Sequence, residues 1–184
     1  MLVSHGLQAI SYEQYRERFD FPVKKYYERL GLSEKGVSFE QTSREFINNY
    51  QLLWKSCELH SEVNETLAVI QEQGIDQSII TPGERNLLRG FVKHHNLTDF
   101  FEDLIGVEDI YAAGKIEQAK AYAKARELKE NEILMIGDTA HDHEVGRAIG
   151  AKVILFSKGH HPKKRLMGHD CPIIDCISEV CEFL

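Results

Sequence analysis

The segment EILMIGDTAHDHE, Glu132 to Glu144, decides how the rest of the chain is read. Ile133 to Ile136 is an unbroken apolar run that stops at Gly137 and delivers two carboxylates, Asp138 and Asp142, into the loop beyond. A short run without polar alternation suits a strand covered on both faces, as in a parallel sheet flanked by helices. The same style recurs outward from it. Val153 to Phe156 is a second such run, with a helical pattern between the two. Upstream, Ser78 to Thr81 is a short apolar strand running into Pro82-Gly83, followed by a helix carrying Leu87, Leu88, Phe91 and Val92. Asp103 to Gly106 is a brief strand candidate, and Ile116 to Lys129 an alanine-rich helix. Strands alternating with helices predict an α/β core with a parallel sheet over residues 61–184.

Residues 1–60 read differently, as a helical module. Ser11-x-x-Gln14 is a capping box, with Tyr15 and Phe19 following at helical spacing. Pro22 opens a second helix with Val23, Tyr26, Tyr27 and Leu30 on one face, and Gly31 stops it. Thr42-x-x-Glu45 reads as another capping box. The stripe after it, Phe46, Ile47, Tyr50, Leu53, Trp54 and Cys57, is expected to pack as helix core. Val63 to Gln73 is helical and closed by Gly74. Internal repeats and low-complexity tracts are absent.

The 184 residues carry a net charge of −7, with 42% hydrophobic and 28% charged residues, the balance of an ordinary globular protein. A negative chain is a poor ligand for nucleic acid or acidic membranes, and the cluster Lys163, Lys164, Arg165 is too small to reverse that. Cys57, Cys171, Cys176 and Cys181 lack the close pairing of a zinc site, and no secretory signal precedes them. Reduced thiols in a cytoplasmic protein are the expectation.

In an open parallel sheet, chemistry gathers where the strands end at their C-termini. Thr81 leaves the first apolar strand, Lys115 follows Gly114 at a helix start, and Asp138 and Asp142 leave the third strand. A hydroxyl beside free amides at a helix N-terminus suits phosphate oxygens, and a lysine adds a point charge. Two carboxylates suit Mg²⁺, which takes few protein carboxylates and keeps waters or phosphate oxygens. Together they suggest a site for a magnesium-bound phosphoryl group. The alternative for Asp138 and Asp142 is simply capping the helix that follows.

Thr81 after Ile79-Ile80, Lys115 after Gly114, and Ile-Gly-Asp-Thr-Ala-His-Asp from 136 to 142 resemble, in order and spacing, motifs II, III and IV of haloacid dehalogenase-like (HAD) phosphatases. Phe100-Phe101-Glu102-Asp103 and Gly146-Arg147-Ala148-Ile149-Gly150-Ala151 are similar to the family's flanking sequences, and the likeness is greatest to phosphoglycolate phosphatase-like members. Pro82 departs from the asparagine common after motif II. The resemblance implies a Rossmann-like core, with the helical module as a cap above the site. It also implies a Mg²⁺-dependent phosphatase of a small phosphorylated metabolite working through an aspartyl-phosphate. In that scheme Thr81 holds a phosphate oxygen and Lys115 neutralises charge on the nucleophile. Asp138 ligates the metal, and Asp142 orients a water bound to it.

The family's motif I, Asp-x-Asp-x-Thr/Val, is not in this sequence: Asp20 is followed by Phe-Pro, and Asp142-His143-Glu144 belongs to the later loop. The nucleophile and the general acid are therefore expected outside residues 1–184, and this chain alone is expected to be inactive. In the family the motif I strand is central. Its removal leaves a gap of about 10 Å between its neighbours. Either the sheet closes up, or another segment fills the slot, or the natural protein is longer; the last is the expectation. Two further classes stand beside the enzyme. One is an inactive relative that binds a phosphorylated ligand or partner. The other, a helical His-Asp metal phosphohydrolase suggested by His141, Asp142 and His143, is disfavoured because that dyad follows a strand. Gly159-His160-His161 is expected to be an exposed loop, outside the site.

Overall fold

The computed structural model describes residues 1–107 and 114–184. Five helices and two strands precede the 108–113 segment. They are α1 (Tyr12–Arg18), α2 (Val23–Arg29), α3 (Phe39–Leu53), α4 (Val63–Glu72), β1 (Ser78–Glu84), α5 (Arg85–His94) and β2 (Asp103–Val107). After it come α6 (Lys115–Ala125), β3 (Leu134–Gly137), α7 (Ala140–Ala148), β4 (Lys152–Phe156), α8 (Lys163–Leu166), β5 (Ile173–Ile174) and a closing 3₁₀ turn, Ile177–Phe183.

Every strand pairing is parallel, as the apolar runs predict, but the strands form two sheets. β1 pairs with β2, and β3, β4 and β5 form a second sheet in that order. Helix α6 packs on both β1 and α7, and α7 covers β3 and β4, so one helical layer spans both sheets. Among the described residues no strand lies between β1 and β3, and the two do not pair with each other. Of the outcomes expected for a sheet without its central strand, closing up and filling from within residues 1–107 or 114–184 are both absent here.

β4 shows why its run lacks polar alternation. Ile154 and Phe156 pack with Ile70 of α4, Ile174 of β5 and Val180 of the closing turn. Val153 and Leu155 face the other way, onto Leu166 of α8. A strand buried on both faces needs an apolar residue at each position.

The N-terminal helices enclose a separate core of Phe19, Tyr26, Tyr27, Leu32 and Val37. The Ser11/Gln14 capping box forms as read, and Gly31 ends the second helical segment in the left-handed region. α3 differs. It starts at Phe39 with Ser38 as its cap, and Thr42 lies inside it, donating to the Ser38 carbonyl at 3.0 Å. Its stripe is not core: Phe46, Tyr50 and Leu53 are exposed, Phe46 and Tyr50 stack on each other, and Trp54 reaches across to Phe91 of α5 in a tilted ring contact. Periodicity reports an apolar face without saying what covers it. α6 also ends earlier than its pattern, at Ala125, because Glu127 adopts a positive φ of 53°.

Candidate functional site at the C-terminal strand ends

Asp142 is the best-anchored carboxylate of the four sequence-derived residues. It occupies the third position of α7 in a capping box with Thr139. Its Oδ2 accepts from Asp138 N (3.0 Å), Thr139 N (2.9 Å) and Thr139 Oγ1 (2.7 Å), satisfying donors that a helix start leaves free. Its Oδ1 accepts from Lys115 Nζ at 2.5 Å, with the two side chains only 12% and 6% exposed. Burial alone would raise its pKa, but the charge and hydrogen bond of Lys115, with Thr139 and the Asp138 amide, outweigh it and hold the carboxyl below its ordinary value. Gly137 permits this approach: a Cβ there would overlap the Asp142 side chain. The helix-capping role is thus real, and it coexists with the ion pair that carries Lys115 to the same point.

Asp138 directly follows β3, four residues before Asp142, and is held differently. Its Oδ2 accepts from His160 N at 2.6 Å and its backbone carbonyl from His161 N at 3.2 Å. No bond from a described residue reaches its Oδ1. Thr81 stands apart from this group. Its hydroxyl accepts from Gly83 N at 3.1 Å and bonds to none of the other three. Between Ile80 and Glu84 the β1–β2 register shifts, so Thr81, Pro82 and Gly83 bulge from the ladder. A bulge accommodates a proline that has no N–H to give.

The expectation of free amides after Thr81 is corrected by this geometry. α5 begins at Arg85, and Glu84 caps it, taking Asn86 N at 2.9 Å and Leu87 N at 3.1 Å. A carboxylate already occupies the place an incoming phosphate oxygen would take. Sequence reading also placed His161 in an exposed loop, whereas it is fully buried. Its Nδ1 accepts from Ala140 N (3.2 Å) and its Nε2 donates to Phe19 O (3.1 Å), while burial first and Arg165 second hold its pKa below the ordinary histidine value. The signal available in sequence was Gly159, on which a Cβ would overlap the Asp138 carboxylate.

As a magnesium site the donor chemistry is right and the set is small. Mg²⁺ needs only one or two protein carboxylates. Asp138 offers a free hard oxygen, whereas Asp142 is already engaged at both of its own. Among the described residues no group of three or more metal-ligating side chains converges. The residues therefore fit an ion held through Asp138, with its remaining ligands from water, phosphate or a segment outside those described. Two clefts, of about 300 Å³ beside Tyr27 and Phe39 and about 370 Å³ beside Arg147 and Cys171, are lined by none of the four site residues. Among the described residues no helix is long and apolar enough to cross a membrane.

A parallel α/β core presenting a lysine and two aspartates at its strand ends is the arrangement of a hydrolase superfamily, and the comparisons agree. Residues 1–156 match the sequence profile of haloacid dehalogenase-like hydrolases, and the chain belongs to that family. It is 23% identical over 145 residues to the phosphoglycolate phosphatase of Pectobacterium atrosepticum, covering 77% of this chain and 62% of that one. It is 28% identical over 102 residues to the pyrophosphatase PpaX of Halalkalibacterium halodurans, covering 55% and 47%. The chain thus spans about half to three-fifths of these relatives' own length. A haloacid dehalogenase-like hydrolase from Streptococcus pneumoniae superposes with a TM-score of 0.78 at 17% identity, covering 99% of this chain and 85% of that one.

Proposed function

We propose that residues 1–184 form the greater part of a Mg²⁺-dependent phosphatase of small phosphomonoesters, phosphoglycolate being the first substrate to try. The carrying observation is the Lys115–Asp142–Asp138 group at the strand ends, beside the open edges of β1 and β3. In this reading residues 1–60 are the cap over a core of 61–184, and the protein works in the cytoplasm without nucleic acid or membrane partners. A strand from outside residues 1–184 lies between β1 and β3 and brings the nucleophilic aspartate. That aspartate attacks phosphorus in line, and a second carboxylate protonates the leaving oxygen and then activates water. Lys115 neutralises charge on the nucleophile and the transferring group. Thr81, once turned from Gly83, holds a phosphate oxygen. Asp138 would hold magnesium, with Asp142 placed to orient a water beside it, and the ion would supply positive charge to the phosphoryl oxygens.

A second reading, a relative without catalysis that binds a phosphorylated ligand or partner, is favoured by the lack of any Asp-x-Asp-x-Thr/Val in residues 1–184. One experiment separates the two: the intact mass and the phosphoglycolate hydrolysis of the protein isolated from its own cells. A mass above 21.1 kDa with Mg²⁺-dependent turnover is expected, with residues 1–184 alone slower by on the order of a million-fold. A native mass of 21.1 kDa with no turnover overturns the enzyme reading and leaves the binding one.

A further inference from the structure

Asp138 is held by a loop that has no reason of its own to be curled. In residues 157–161, the His160 and His161 amides point at Asp138, and Gly159 packs against its carboxylate too closely for a side chain. A five-residue loop that turns amides inward must turn carbonyls outward, and unpaired carbonyl dipoles aimed the same way repel. Here three of them, from Ser157, Gly159 and His161, converge on one guanidinium. Arg16 of α1 donates from Nε to Gly159 O at 2.8 Å, and from Nη2 to His161 O at 2.9 Å and to Ser157 O. The planar fork of arginine can meet several acceptors at once, which a lysine head cannot do in a fixed geometry.

Arg16 is itself held from the core side. Arg165 Nη1 donates to the carbonyls that end α1, Arg16 O at 3.3 Å and Phe19 O at 2.5 Å, and His161 Nε2 adds a further bond to Phe19 O. The Tyr15 hydroxyl bonds to the His160 ring. The N-terminal helix and the loop after β4 therefore lock each other.

We propose that Arg16 is the positioning residue for Asp138. By gathering three carbonyls it sets the loop whose His160 amide binds one carboxylate oxygen of Asp138, leaving the other open, and whose His161 amide binds the Asp138 carbonyl. Its importance for function rests on the phosphatase reading, but its effect on the loop does not. The test is amide exchange by NMR on residues 1–184 in wild type, Arg16→Ala and Arg16→Lys, with Mn²⁺ broadening as a second readout.

In both variants the His160 and His161 amides should exchange at least about tenfold faster, while Val153 to Leu155 keep their protection. The His160 amide should also lose the low-field shift of a bond to a carboxylate. Wild-type protection at His160 and His161 in Arg16→Ala would overturn the proposal. So would full retention in Arg16→Lys, because charge alone would then suffice. Mn²⁺ should broaden resonances around Asp138 in wild type and less in the variants. Faster loop exchange without any Mn²⁺ broadening would leave the role of Arg16 standing and sink the metal reading instead.

Discussion

Replacing Lys115 by methionine removes the cation bonded to Asp142 and keeps most of the apolar stem. The two charges lie 2.5 Å apart in surroundings that leave their side chains 12% and 6% exposed. At an effective dielectric near 20 such a pair attracts by about 6–7 kcal/mol, much of it offset by taking both charges out of water. Truncating one partner of a buried pair costs about 3–5 kcal/mol, because the other charge stays buried without it. Asp142 keeps three donors on Oδ2, so the low end, about 3 kcal/mol, is expected.

The loss should depend on pH. The folded pKa of Asp142 is depressed, so its contribution is present above the unfolded value and fades as pH falls through the folded one. Without Lys115 burial dominates, the folded pKa rises and the sign reverses. The variant then suffers most at neutral pH and recovers toward wild type on acidification. Urea unfolding of wild type, K115M, D142N and the double variant, at about pH 7 and about pH 5, reads both effects. The double variant should lose at least about 1 kcal/mol less than the sum of the singles. A loss under about 0.5 kcal/mol that is flat with pH and additive in the cycle would show a solvated pair and refute the reasoning.

Other outcomes follow from the same geometry. Thr139→Ala removes the α7 cap and one bond to Asp142, and should cost about 1–2 kcal/mol in urea unfolding. Glu84→Ala should cost about 1 kcal/mol and, by freeing the Asn86 and Leu87 amides, should strengthen binding of inorganic phosphate in a calorimetric titration. Phe46→Ser and Leu53→Ser, both on the exposed stripe of α3, should each change stability by less than about 0.5 kcal/mol. Trp54→Ala, which removes the ring contact with Phe91, should cost more than either.

Local chemistry was legible where a short stretch contains its own partners. The Ser11/Gln14 box, the stop at Gly31 and the strands at the apolar runs of β3 and β4 each depend on residues within a few positions and form as read, although Ile136 of β3 is exposed rather than covered on both faces. Asp138 and Asp142 were legible for the same reason, since strand, glycine and carboxylates are adjacent in the chain. The start of α3 was misplaced because Ser38 and Thr42 are both plausible caps, one helical turn apart, and their local patterns do not rank them.

What residues 1–184 determine by themselves is the style of each segment and the inventory at the strand ends: parallel strands, covering helices, Thr81, Lys115, Asp138 and Asp142. Tertiary structure alone decided which of these meet. Lys115 reaches Asp142 across 27 positions, Arg16 gathers a loop more than 140 positions away, and the buried His161 bonds to the Phe19 carbonyl across 142 positions. The division of the sheet between β1 and β3 is likewise invisible locally, since each strand reads as complete. The physical reason is common to all of these. Periodicity and capping act through bonds a few residues long, whereas an ion pair, a carbonyl cage or a strand edge is satisfied by whatever the fold brings beside it.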